Sequence, residues 1–172
     1  MDLTYLHLSL NHVAVIGVVF GFSILLISAI ARSTAAARVG LGLLVLSAVV
    51  AVPVYLTGES AEEIVERLSG FSEVITEQHE SAAAFSIALV MISGLLALVT
   101  LLLTRWRESK VPRVPMFATL LVSLVTTTSM LWTANLGGQV RHTEIRASAQ
   151  NNPQGSEAET PNKGSSKKDD DD

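Results

Sequence analysis

SAAAFSIALVMISGLLALVTLLLT, residues 81–104, is a run without a single charge. Coiled as a helix at 1.5 Å per residue it reaches about 36 Å, enough to cross a hydrocarbon core of roughly 30 Å. Three further runs are of the same kind: residues 12–31, 39–57 and 114–136. Backbone polar groups inside a bilayer must bond within their own segment, so each run is expected to be a helix. A buried helix of a soluble protein would account for any one of them. Four in 172 residues, 49% of them hydrophobic, with a mean hydropathy of +0.44, indicate outer faces that meet lipid.

Basic residues set the expected orientation. Arg32 and Arg38 flank the first turn, and Arg105, Arg107, Lys110 and Arg113 lie between the third and fourth runs, against one acid, Glu108. The connection between the second and third runs has Arg67 alone against Glu59, Glu62, Glu63, Glu66, Glu73, Glu77 and Glu80. Cytoplasmic loops are enriched in Lys and Arg, so both basic connections are expected inside, and both termini and the acidic connection outside. Tyr5, Tyr55 and Trp132 then fall at the outer boundary and Trp106 at the inner one, where amphipathic rings collect. Asp2 is the only charge before the first run and no small-residue cleavage site follows, so a retained helix is expected there.

Short inner connections make neighbouring spans antiparallel. The fold expected is all-α: an integral membrane four-helix up-down-up-down bundle over residues 1–146. Gly17 and Gly21 form a G-x-x-x-G, and Gly94 and Ala97 offer close approach in the third span. Pro53 removes a backbone donor near the outer end of the second span, while Pro115 suits the first turn of the fourth. In the acidic connection, Ser60 to Glu63 reads as a capping box. Ile64, Leu68, Phe71 and Ile75 recur at helical spacing, giving a short amphipathic helix over residues 60–69 at the bundle mouth. Leu68 and Phe71 are its candidate partner-binding residues. The composition of residues 147–172 is polar and biased, expected to be a disordered tail.

The chain has no cysteine, which excludes disulfides, thiolate metal sites and covalent c-type haem attachment. No ionisable residue lies in the core of any span, which argues against a channel or pump. What remains is imidazole. His7, His12, His79 and His142 all fall on the outer side in this topology, with Glu80 beside His79 and Glu144 near His142. Imidazole is the commonest nitrogen ligand for zinc, copper and iron, and carboxylates often orient its second nitrogen. His12, His79 and His142 are the expected cofactor ligands, with Glu80 and Glu144 joining them in a metal site. His7, near the chain start, is the weakest of the four. Two such rings suit haem b; two or three with a carboxylate suit zinc or copper. The plain alternative is interfacial histidines that only cap and bond locally, with no cofactor.

His7-Leu8-Ser9-Leu10-Asn11-His12, Thr57-Gly58-Glu59, His79-Glu80 and Gly137-Gly138 through His142 occur in an order that resembles a bacterial four-helix membrane family, domain of unknown function 2231. The resemblance covers residues 3–146. It implies four helices with histidines at these places, in a bacterial inner membrane. The prolines that follow the opening histidines in that family are replaced by Leu8 and Val13-Ala14. Four-helix cytochromes b are a looser likeness. The function expected is therefore a haem-b electron carrier facing outward. The alternatives are a non-haem metal protein and an accessory subunit of a membrane complex. None of the three is foremost a catalyst. The expected partners are the bilayer and membrane-complex or redox proteins on the outer face, with no nucleic acid.

Overall fold

The computed structural model describes residues 3–106, 111–142 and 144–146. Expectations on Asp2, Arg107, Glu108, Lys110, the side chains of Arg105 and Trp106, and residues 147–172 lie outside it. The described residues form five helices: α1 (Leu3–Ala31), α2 (Thr34–Leu56), α3 (Gly58–Val65), α4 (Glu73–Trp106) and α5 (Arg113–Arg141). Four of them are long and apolar enough to cross a membrane. Each contains one of the charge-free runs, short of Thr57 in α2, and α1 and α4 continue about two turns past them on the side that carries the acids.

Only 28% to 33% of each apolar window is buried within the molecule. The buried side chains among the described residues divide about evenly between apolar ones, many of them alanine, and Ser or Thr. Many of the large apolar ones, Ile16, Phe20, Ile27, Ile30, Phe85 and Leu95 among them, face outward. This inverts the soluble pattern, in which hydroxyls meet water and large apolar groups fill the core.

The turn from α1 to α2 takes two residues. Arg32 adopts a left-handed φ of 53°, and the Ser33 N–H reaches back to Ser28 O at 3.1 Å, closing a Schellman turn. The Ser33 hydroxyl then accepts from the Ala36 N–H and starts α2. α1 and α2 pack through small residues at their contacts. A Cβ on Gly21 would stand 2.9 Å from the Leu44 side chain, and one on Gly40 would stand 2.8 Å from Leu25 N. A Cβ on Gly17 would collide with Ser47 Oγ, and one on Gly94 of α4 with Ala48 Cβ. The G-x-x-x-G is thus used inside the fold. Apolar clusters occupy the two halves of the bundle. Ala14, Val18, Ala48, Val90 and Met130 lie toward the acidic end, and Leu25, Leu41, Leu44 and Ala97 toward the basic end.

The short outer helix differs from its expected form. It spans Gly58–Val65, not 60–69, and its N-cap is Thr57, not Ser60. Only Thr57 separates it from α2, and the Thr57 hydroxyl turns back to donate to Pro53 O at 2.7 Å, so it caps nothing in α3. Ser60 lies inside the helix and its carbonyl accepts from Thr4 Oγ1 at 2.9 Å, tying α3 onto the start of α1. Leu68 and Phe71 fall in the turn after α3, both still partly exposed.

Candidate functional site: paired imidazoles at the bundle mouth

The last carbonyls of a helix have no partner within it. At the end of α2, the Val54 carbonyl is met by His7 Nδ1 at 2.8 Å, with Thr57 Oγ1 3.4 Å from the same nitrogen. On the other side of the mouth, His79 Nδ1 lies 3.1 Å from Thr133 O of α5. A carbonyl can only accept, so each Nδ1 carries the proton and donates it. Each Nε2 then keeps the lone pair that a metal takes. Both rings are half-buried.

The other two histidines are placed differently. His12 is exposed, and its Nδ1 bonds Leu8 O one turn back on its own helix at 2.8 Å. His142 is exposed at the end of α5, with Nδ1 2.9 Å from Glu144 Oε1. The Glu144 carboxyl is held below its usual range by its own backbone N–H and then by the His142 ring. Of the expected ligands, then, His79 turns inward with Glu80 beside it, and His12, His142 and Glu144 do not join it. The other half-buried ring at this end is His7, which bonds the end of α2.

A signal for this was present in the spacing. His7 stands seven residues from Ala14, and Gly21 and Ser28 continue the series, all three buried. His79 heads a matching series, Ser86, Ser93 and Thr100, also buried. Residues seven apart on a helix fall within about 20° of the same face. His12, five residues beyond His7, is turned by about 140° and must look elsewhere when His7 looks in.

Glycine makes room for the second ring. A Cβ on Gly137 would stand 3.0 Å from His79 Cε1, whereas one on Gly138 would meet nothing within 4 Å. Gly137→Val is therefore expected to displace the His79 ring and lengthen its bond to Thr133 O, while Gly138→Ala leaves it in place. Imidazole nitrogen resonances of labelled His79 check this; an unmoved resonance in Gly137→Val would refute it.

Above the rings, Glu62 of α3 faces Glu80 of α4. Hydrogen bonding to Glu80, then desolvation, then the charges of Glu80, Glu66 and Glu59 push the Glu62 carboxyl up to about 7. The folded state thus binds this proton more tightly than the unfolded one, whose value is 4.5. The stabilisation is complete below the unfolded value and is lost as pH rises through the folded one. Amide exchange in α3 is expected to speed up, beyond its intrinsic pH dependence, between these two values. Glu62→Gln, which keeps a donor toward Glu80 at every pH, is expected to flatten that profile.

Arg146 closes the same rim. Its guanidinium donates to Gln139 O, to Val140 O at 2.7 Å and to Gly70 O at 2.7 Å, so it caps α5 and binds the turn between α3 and α4. Gly70 sits there at a φ of 84°, a left-handed conformation that suits glycine.

Comparison of the chain with protein-family models, with curated proteins and with solved structures gives no match. What can be held at the mouth must be argued from its donor set. Among the described residues no group of three or more His, Asp or Glu converges as a metal site. Zinc takes three or four protein ligands, whereas a haem iron takes two axial ones. Two imidazoles with Nδ1 on a carbonyl and Nε2 uncommitted fit the haem requirement in donor type and number.

Proposed function

We propose that the protein is an integral membrane electron carrier that holds haem b through His7 and His79. In this reading the four long helices form an up-down-up-down bundle in a bacterial inner membrane. The basic turns around Arg32, Arg38 and Arg113 lie in the cytoplasm, with the termini and the mouth outside. The observation that carries it is the pair of rings from α1 and α4, each pinned by Nδ1 to a backbone carbonyl. Such second-sphere bonds fix the tautomer and raise the basicity of the free nitrogen. The resemblance to the family of domain of unknown function 2231 adds weight to His79, whereas His7, whose following proline is Leu8 here, rests on its bond to Val54 O. Haem would supply one-electron transfer, and the chain's own part is to present two oriented nitrogens and to keep large apolar faces toward lipid. The acids of α3 and its neighbouring turn, with Ile64, Leu68 and Phe71 exposed among them, favour a redox partner with a basic docking face.

The test is an absorption spectrum of the protein purified after haem-replete expression. A Soret band with the sharp visible bands of a bis-imidazole haem is expected. A colourless preparation overturns the reading.

A further inference from the structure

Below the mouth, the interface of α4 and α5 is lined with hydroxyls. Ser86 Oγ lies 2.6 Å from Ser129 Oγ and 2.8 Å from Thr133 Oγ1. Thr126 Oγ1 lies 2.8 Å from Val122 O on its own helix and 3.3 Å from Leu89 O on α4. Nearer the basic end, Thr100 meets Thr119 at 3.2 Å. As α4 residue numbers rise, those of their α5 partners fall. Ser93, midway between Ser86 and Thr100, therefore comes level with Ser123 and Thr126.

The hydroxyls at that level have spent their protons. Ser123 donates to Leu120 O, Thr126 is shared between Val122 O and Leu89 O, and Thr127 donates to Ser123 O. Their oxygens can still accept. Ser93 is the exception: it is 1% exposed and its hydroxyl has no hydrogen-bond partner among the described residues. A helical serine commonly bonds back to the carbonyl four residues earlier. For Ser93 that carbonyl is Leu89 O, which already takes a helical N–H and faces the Thr126 hydroxyl. A buried hydroxyl left unmatched costs about 1–3 kcal/mol, and buried waters commonly settle such accounts with two to four bonds.

We propose that Ser93 binds an ordered water among the hydroxyls of α4 and α5, midway along their interface and well below His79. The water accepts the Ser93 proton and donates its own two protons to Ser123 Oγ and Thr126 Oγ1, which leaves every polar group at that level matched. The water is held there whether or not His7 and His79 bind a cofactor.

The full chain in lipid nanodiscs tests this by infrared difference spectroscopy between ordinary and heavy-oxygen water. The wild type is expected to show an isotope-shifted O–H stretch of an internal water, and Ser93→Ala to lose it. Ser93→Ala is also expected to lower the thermal midpoint, because the water loses its donor. A wild type without the band, a band that survives in Ser93→Ala, or a raised midpoint on removing an orphan hydroxyl would each overturn the proposal.

Discussion

Gly40→Ala is expected to destabilise the protein by about 1–3 kcal/mol, the usual penalty of overpacking, although alanine is the better helix former by about 1 kcal/mol. The reason is what the methyl group would strike. Its carbon would stand 2.8 Å from Leu25 N, 2.9 Å from Gly21 O and 3.2 Å from Leu25 Cα, all backbone atoms of α1. A flexible side chain can swing aside; a helix backbone moves as a whole. Moving α1 also opens the contacts of Gly17 with Ser47 and Gly21 with Leu44, which lie along the same line. Gly42, two residues on, meets nothing within 4 Å, so Gly42→Ala is expected to be neutral or mildly stabilising. Thermal midpoints of the two variants, read by loss of the monodisperse chromatographic peak, check the contrast. Equal midpoints would sink it.

The second large effect follows from the haem proposal. His79→Ala and His7→Ala are each expected to abolish the low-spin haem spectrum, whereas His12→Ala and His142→Ala leave it intact. His12 and His142 are exposed, with Nδ1 engaged on Leu8 O and on Glu144. Loss of a ligand must be told apart from loss of fold, because His79→Ala also strands one lone pair of Thr133 O and His7→Ala leaves Val54 O to the Thr57 hydroxyl alone. Added imidazole makes that distinction: it is expected to restore the band in a folded protein that lacks one ring. A spectrum that vanishes in His12→Ala and persists in His7→Ala would return the site to the ligand set expected from sequence.

The long helices were legible because an unbroken apolar run is a simple signal, and residues 81–104 carry one without exception. Hydropathy does not register where a helix outlasts the apolar run. α1 begins at Leu3 and α4 at Glu73, and these outer turns carry His7 and His79. The phase of each helix was harder. His7 and His12 cannot both face the bundle, and which one does is settled by the small residues Ala14 and Gly21 packing inward, a tertiary fact visible in one sequence only as a seven-residue spacing. Ser60 had the residue types of a capping box, yet α2 runs into α3 through Thr57 alone, so the helix had already started. Nothing local to Arg146 reveals its reach to Gly70, 76 residues away.

The two hairpins are held by different forces. α1 and α2 touch through glycine and apolar surfaces, while α4 and α5 share hydroxyl pairs such as Ser86 with Ser129 and Thr100 with Thr119. Water competes for hydroxyls but finds no partner in a glycine contact. In small, wet detergent micelles the α4–α5 half should therefore loosen first, and choice of solubilising agent will decide whether His79 survives purification on its carbonyl.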